Sequence, residues 1–166
     1  MSGYFTRYPI LAGYQIGDRQ YDMIDLTRRT AVLTEARNDP RTYIEYDVQE
    51  GETPEMLADR MYDSPDLYWV IMMFNELHDI NQSWPLTTVA LERYITRAYD
   101  DPNGIHHYES ASTGARVTSN HPLYDRVPVT NYEFEMRANE AKRRIKLPIP
   151  DLIGSIVSQH NSLVQL

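Results

Sequence analysis

The segment that most constrains the fold is the stretch from residue 67 to residue 74, which contains no charged side chain. It follows Ser64-Pro65-Asp66, where a hydroxyl, a proline for the first helical turn and an acid together form a helix start. The spacing predicts a helix from about Pro65 to Phe74 that is apolar on nearly every side. Such a helix must be covered on nearly every side, either by the chain's own flanks or in part by another chain.

A strand and a helix precede this segment. Tyr43 to Val48 is rich in aromatic and β-branched residues with partial alternation, which predicts a strand that Gly51 ends. Thr53, Pro54 and Glu55 repeat the helix-start pattern. The centre of the chain therefore predicts the order strand, helix, helix, and Asn75 is expected to end the second helix in a left-handed turn.

The region after the second helix predicts further mixed structure. The expected elements are a helix capped by Thr87 or Thr88, a hairpin joining Ile105–Tyr108 to Arg116–Thr118, a polar helix from Thr130 through Arg144, and a short strand over Ile145–Leu147. Together with the central segment, these elements predict an α+β fold.

The N-terminal 40 residues show no clean amphipathic period, so we expect an extended, aromatic-rich arm. Tyr4, Phe5 and Tyr8 are its candidate partner-binding side chains. The run Met23 to Leu33 is compatible with strand or helix, and its spacing does not decide between them. The start of the chain lacks the basic and apolar pattern of a signal peptide, and we expect none.

The C-terminal segment, residues 148–166, predicts an amphipathic helix capped by Asp151. The apolar stripe of this helix consists of Leu152, Ile153, Ile156, Val157, Leu163 and Val164. Burial of each such side chain contributes roughly 1.5–3 kcal/mol. The stripe is a candidate partner anchor, and the alternative is that the helix folds back on its own domain.

Composition favours a protein-binding role over several others. The chain has a formal net charge of -8, which argues against a nucleic-acid partner. Its longest apolar run is too short to span a bilayer. Only two of its 16 basic residues are lysine and 13 residues are tyrosine, a bias shared by protein interfaces. Genomic base composition is the alternative explanation of the arginine excess.

No motif of catalysis or cofactor binding is present in the sequence. There is no phosphate loop, nucleophile elbow or dinucleotide fingerprint, and no cysteine for a disulfide or thiolate site. His106 and His107 are expected on opposite faces of a strand, which would separate them as metal ligands. We therefore predict a non-enzymatic protein with no metal or cofactor.

Two aromatic side chains near the central helix are weighed as partner contacts. Trp69 lies in the middle of the predicted helix, a position that favours a core residue. Its neighbour Tyr68 is a candidate partner contact. Trp84 precedes a proline in a loop, and the sequence leaves open whether it is a partner anchor or a core residue.

The order from Tyr43 to Leu86 resembles a LysM module, a small β-α-α-β unit. The detail is similar to the baseplate wedge protein of T-even-type contractile phages, the gene product 53 family. The residues that carry this resemblance are Tyr46-Asp-Val48, Gly51, Thr53-Pro-Glu-Met-Leu-Ala58, Tyr62, Pro65-Asp-Leu-Tyr-Trp-Val70, Phe74-Asn75, Asp79, Trp84-Pro-Leu86, Tyr4-Phe5, Tyr8-Pro9 and Asn139-Glu-Ala-Lys-Arg-Arg-Ile-Lys146.

The resemblance implies a division of the chain into three parts. Residues 1–40 would be the arm, residues 41–147 a LysM-like domain, and residues 148–166 the C-terminal helix. Ile145–Leu147 would be the return strand beside Tyr43–Val48, delayed by an insertion at about 87–144. A long insertion is tolerable because doubling a loop costs only about 0.6 kcal/mol of closure entropy.

The resemblance also implies a structural role in the virion. The protein would join neighbouring baseplate wedge and tail-hub proteins in a ring, in multiple copies, after synthesis in the bacterial cytoplasm. Both chain ends would become ordered on binding. The alternatives are a peptidoglycan-binding LysM module and a cell-wall hydrolase.

Overall fold

A computed structural model describes residues 4–5, 8–28, 30–120 and 122–165. It is a mixture of helices and strands, which confirms the predicted α+β class. The chain divides into two compact units. Unit 1 contains residues up to 47 together with 52–83 and the segment from 144 onward, and unit 2 contains 48–51 and 84–143.

The elements, in chain order, are β1 (Ile10–Ile16), β2 (Arg19–Ile24), α1 (Thr34–Asn38), β3 (Tyr43–Asp47), α2 (Pro54–Tyr62), α3 (Tyr68–Phe74), α4 (Ile80–Ser83), α5 (Thr88–Ala98), β4 (Ile105–Ser110), β5 (Arg116–Val117), β6 (Arg126–Thr130), α6 (Asn131–Glu140), β7 (Arg144–Pro148) and α7 (Pro150–Val164). Short 3-10 turns at Pro65–Leu67 and Leu123–Asp125 complete the described structure.

The centre of unit 1 is an antiparallel pair, β3 and β7; α3 packs on β7, and α2 packs on α3. Tyr46 lies opposite Ile145 in this ladder, so the predicted return strand beside β3 is confirmed. The predicted start of α2 is also confirmed. Pro54 opens the helix, and the Thr53 hydroxyl accepts a hydrogen bond from the Met56 amide at 3.3 Å. The cap satisfies a backbone donor that the helix itself leaves free.

The apolar segment of the sequence becomes a 3-10 turn and α3, and most of it is buried. Trp69, Val70, Ile71 and Phe74 are all in the core, as a helix apolar on nearly every side requires. The predicted left-handed turn at Asn75 is wrong. Asn75 has φ -96°, and Glu76, with φ 56°, makes the turn instead. The side chain of Asn75 is engaged elsewhere, as described below.

The N-terminal region contains a β-hairpin where an extended arm was expected. β1 and β2 pair antiparallel across the turn Gly17-Asp18. Within the segment 23–33, left open between strand and helix, the strand ends at Ile24 and the described remainder is irregular. The hairpin forms a two-stranded sheet of its own.

The C-terminal helix is confirmed as a helix, but its predicted cap is wrong. α7 begins at Pro150, with Ile149 at the cap position and no side-chain capping bond, so Asp151 lies inside the first turn. Proline favours the first helical position because it lacks the N–H that would be left free there. α7 packs against α2 and α3 of its own unit.

Unit 2 combines a three-stranded sheet in the order β5-β4-β6 with helices α5 and α6. The predicted hairpin of β4 and β5 is confirmed, with Tyr108 opposite Val117. Strand β6 was not predicted. Thr87 caps α5, and Thr130 caps α6 through a reciprocal bond with Glu133. α6 ends at Glu140, four residues before its predicted end, because β7 begins at Arg144.

Candidate interaction surfaces

Four of the predicted partner-binding side chains are buried inside the chain: Tyr8, Trp84, Ile153 and Val164. In this structure they contribute to the chain's own core and present no surface to a partner. Trp84, left open between the two readings, is therefore a buried residue here. Tyr4, Tyr68, Leu152, Ile156 and Val157 are half-buried, and Phe5 and Leu163 are exposed.

The aromatic side chains of the N-terminal lead surround a histidine of α7. The Tyr4 ring stacks on the His160 ring with centroids 4.7 Å apart, and Trp69 approaches the same ring at 4.6 Å. Nδ1 of His160 lies 2.7 Å from the Thr30 hydroxyl, and Nε2 lies 3.2 Å from the carbonyl oxygen of Tyr4. Because a carbonyl only accepts, Nε2 carries the proton and donates it.

The two segments predicted to contact a partner, the N-terminal lead and α7, contact each other in this structure. Tyr8 also lies near His160, at a centroid distance of 5.9 Å, and burial raises the pKa of its phenol well above the ordinary range. The lead at Tyr4 and the helix at His160 contact each other. Only Phe5 and Leu163 among these predicted residues keep large exposed apolar surface.

The hairpin carries a cluster of exposed apolar side chains, which sequence reasoning missed. Every residue of β1 and β2 is exposed. The cross-strand pairs alternate between the two faces of the hairpin. One face, called here the hairpin face, carries Leu11, Tyr14, Ile16, Tyr21 and Met23, with Arg19 beside Ile16 at the turn end. The opposite face carries Gln15, Gln20 and Asp22, with Ile10 and Ile24 at its base.

A β-bulge creates the hairpin face. Between Leu11 and Tyr14 the register shifts, so that Ala12 and Gly13 together oppose Asp22. Gly13 adopts φ +69°, and its amide donates a 3.0 Å hydrogen bond to the Asp22 carboxylate. Without the extra residue, Leu11 and Tyr14 would point to opposite faces. The bulge also hides the alternation from any reading of the sequence with a strict period of two.

The motif residues behind the family resemblance have a structural function. The Asn75 side chain accepts from the Lys146 amide at 2.8 Å and donates to the Lys146 carbonyl at 2.7 Å, so it covers the open edge of β7. The Asn139 side chain forms the same two bonds with Leu86, at 2.7 and 3.0 Å. Each asparagine thus joins two motif segments that are distant in sequence.

The histidine pair of β4 departs from expectation. Nδ1 of His106 and Nδ1 of His107 lie 2.8 Å apart, so the prediction that these rings point to opposite faces is wrong. A register shift between Ile105 and His107 brings the rings together. Nε2 of His107 lies 3.2 Å from Glu109, which also pairs with Arg137 at 2.9 Å.

Unit 2 has a second exposed apolar site. Leu123 and Tyr124, in the 3-10 turn before β6, are 77% and 91% exposed. Within the described ranges no group of three or more potential ligands could hold a metal ion. No helix among the described residues is both long and apolar enough to cross a bilayer.

One part of the chain, which includes the central strand and helices, matches a protein-family model. The model of a phage family described as base plate wedge protein 53 matches residues 21–115, more than half of the chain. The chain belongs to this family. The segment that the family model matches begins within β2, contains β3, α2, α3, α5 and β4, and ends just before β5. No curated protein matches the chain.

Proposed function

We propose that the protein is a structural subunit of a contractile phage tail, where it joins neighbouring baseplate wedge and tail-hub proteins by protein–protein binding. Membership of the base plate wedge family is the observation that carries this proposal. Several copies would sit in the ring of the baseplate. The function then consists of binding energy alone, and the chain makes and breaks no covalent bond.

The distribution of apolar side chains supports a binding role. Tyr14 and Ile16 of the hairpin face are 53% and 55% exposed, and Tyr124 of unit 2 is almost fully exposed. Large apolar patches of this kind mark contact sites more often than free surface. A subunit with neighbours on several sides would cover more than one such patch.

The proposed function includes a LysM-like unit, which would consist of β3, α2, α3 and β7. Their order is strand, helix, helix, strand, with unit 2 largely formed by the segment inserted before the return strand. The network of Tyr46, Glu52 and Arg60 stiffens one end of this unit, with Arg60 2.7 Å from Glu52. We propose that the unit acts as a rigid plug.

Glycan binding is the alternative function that this strand–helix–helix–strand order favours. A LysM module would bind sugar with the loops that flank its helices. Here the loop 48–51 is already engaged by the inserted segment: Glu50 accepts from the Thr88 amide at 2.6 Å and from Arg143 at 2.9 Å. Because these groups bind each other, the loop offers fewer free polar groups to a sugar, and we favour the structural role.

Deletion of the gene from the phage tests the proposed function. Electron microscopy of the resulting lysates is expected to show no complete tails, and supplying the full chain from a plasmid is expected to restore them. Complete, infectious tails without the chain would contradict the proposal. Strong retention of the purified chain on cell wall, competed by soluble wall fragments, would favour the glycan alternative.

A further inference from the structure

We infer that the hairpin of β1 and β2 receives a β-strand from a neighbouring baseplate subunit, which pairs with the free edge of β2 and continues the apolar hairpin face. This inference rests on the proposed function and specifies how one of its contacts is made. The expected partner segment is extended and alternates apolar with polar side chains.

The outer edge of β2 pairs with no strand in the described part of the chain. The amide of Asp25 donates to the carbonyl of Pro9 at 2.8 Å, which makes this a bonded pair of the ladder. Bonded and outward-facing positions alternate along an antiparallel strand. Arg19, Tyr21 and Met23 therefore bond to β1. The amides and carbonyls of Gln20, Asp22 and Ile24 point outward, where no described strand pairs with them.

The two edges of the hairpin differ in a way that selects β2. The bulge at Ala12 and Gly13 interrupts β1 and disrupts its outer edge. β2 carries no bulged residue, no proline and no lysine; its charged side chains are Arg19 and Asp22, and the Asp22 carboxylate is engaged within the hairpin by the Gly13 amide. Proteins protect free strand edges with prolines, lysines, bulges or inward charges. The edge of β2 lacks most of these devices, which is the pattern of a strand that is paired in the assembled state.

The hairpin face fixes the chemistry of the occupant. Tyr14 and Tyr21 lie opposite each other, flanked by the pair Leu11 and Met23 and by Ile16. A two-stranded hairpin is marginally stable in water, and a third strand with an apolar face gives it independent stability. An added strand beside β2 would extend this face by its own apolar side chains while main-chain hydrogen bonds supply affinity, and the body of the neighbour that carries the strand would cover the extended face.

Hydrogen exchange at single-residue resolution tests the inference in purified tails and in the free full-length chain. The amides of Gln20, Asp22 and Ile24 are expected to exchange rapidly in the free chain. In tails we expect them to slow at least tenfold. The inward amides of Arg19, Tyr21 and Met23 provide an internal control for the hairpin itself.

Each outcome of this experiment is informative. If the chain is recovered from tails but the three outward amides exchange as in the free chain, the inference is overturned and the proposed function stands. If tails contain no copy of the chain, the proposed function itself fails. Protection that increases with the concentration of the free chain would identify a second copy as the occupant and overturn the proposed partner.

Two substitutions at one position separate the backbone from the side chain. Gln20→Pro removes an outward amide while leaving the bonds to β1, and proline is tolerated at such an edge. Gln20→Thr removes the same side chain and keeps the amide. We expect Gln20→Pro to lower incorporation into tails about tenfold, the scale of one lost hydrogen bond, and Gln20→Thr to change it less than about twofold. Equal incorporation of the two variants would contradict strand addition.

Discussion

The side-chain amide of Asn139 binds both the amide and the carbonyl of Leu86, 53 residues away, at 2.7 and 3.0 Å. This bond pair fixes the loop that follows the buried Trp84 to helix α6. The Asn75 side chain holds Lys146 in the same way. Both asparagines complete backbone hydrogen bonds that no helix or strand supplies, so each acts as an anchor of the fold.

Asn139→Ala should destabilise the protein because it leaves both polar groups of Leu86 without their partners. Asn139 is buried, and each unsatisfied group costs about 1–3 kcal/mol. Urea unfolding followed by circular dichroism measures the change. Asn120→Ala, at an exposed position, is the matched control and is expected to change the free energy of unfolding by less than about 0.5 kcal/mol. Equal stability of the two variants would refute the anchoring role.

Gly17→Val should open the hairpin. Gly17 has φ +61° at the first position of the turn, a conformation that costs a residue with a side chain about 1–2 kcal/mol and a β-branched residue more. The expected result is the loss of cross-strand nuclear Overhauser effects between Leu11 and Met23. Asp18→Ala, at the neighbouring turn position, should retain them. Persistence of these signals in Gly17→Val would show that the turn does not require its glycine.

His160→Phe should loosen the contact between the N-terminal lead and α7. The phenyl ring keeps the stacking on Tyr4 and Trp69 but loses the bonds to Thr30 and to the Tyr4 carbonyl. We expect a loss of about 1–3 kcal/mol in the free energy of unfolding. Gln159→Ala, on the exposed side of the same helix, is the control. If the two variants unfold at the same urea concentration, packing alone holds this cluster.

The pH dependence of the Asp39–Arg41 pair can be stated with its sign. Hydrogen bonds from the Arg41 guanidinium and amide lower the pKa of Asp39 to about 2. A carboxyl with a lowered pKa stabilises the fold above its unfolded pKa of about 3.9, and this contribution is lost as the pH falls through the folded pKa. A carboxyl-carbon titration by nuclear magnetic resonance should give a midpoint near 2 for Asp39.

Arg41→Ala should raise this midpoint toward the ordinary value for aspartate. Arg19→Ala, which removes a cation remote in sequence, serves as the control and should leave the midpoint unchanged. A midpoint near 4 in the unmodified chain would mean that the Asp39–Arg41 pair is not formed in solution.

The helices were predictable because their signals are local. Thr53-Pro54 and the Thr130 capping box lie within four residues of the groups they satisfy. The turn signal Gly17-Asp18 is equally local and is typical of a two-residue hairpin. It was missed because the bulge at Ala12-Gly13 breaks the alternation of β1, and a period of two was the criterion for a strand.

The two bulges account for both errors that involve strand faces. At β1 the extra residue gathers apolar side chains onto one face, and at β4 it brings His106 and His107 together. Neither shift is encoded in spacing alone, because a bulge depends on the register of the partner strand. The burial of Tyr8 and Trp84 likewise depends on long-range packing that composition does not reveal.

Hydroxyl-radical footprinting of purified tails is the most direct test of the central claim, that this chain is a baseplate subunit whose hairpin face is covered by a neighbour. Tyr14 and Tyr21 should be labelled readily in the free chain and at least tenfold more slowly in tails, while the buried Trp69 stays protected in both. Tails that contain the chain with Tyr14 and Tyr21 labelled as rapidly as in the free protein would contradict the claim.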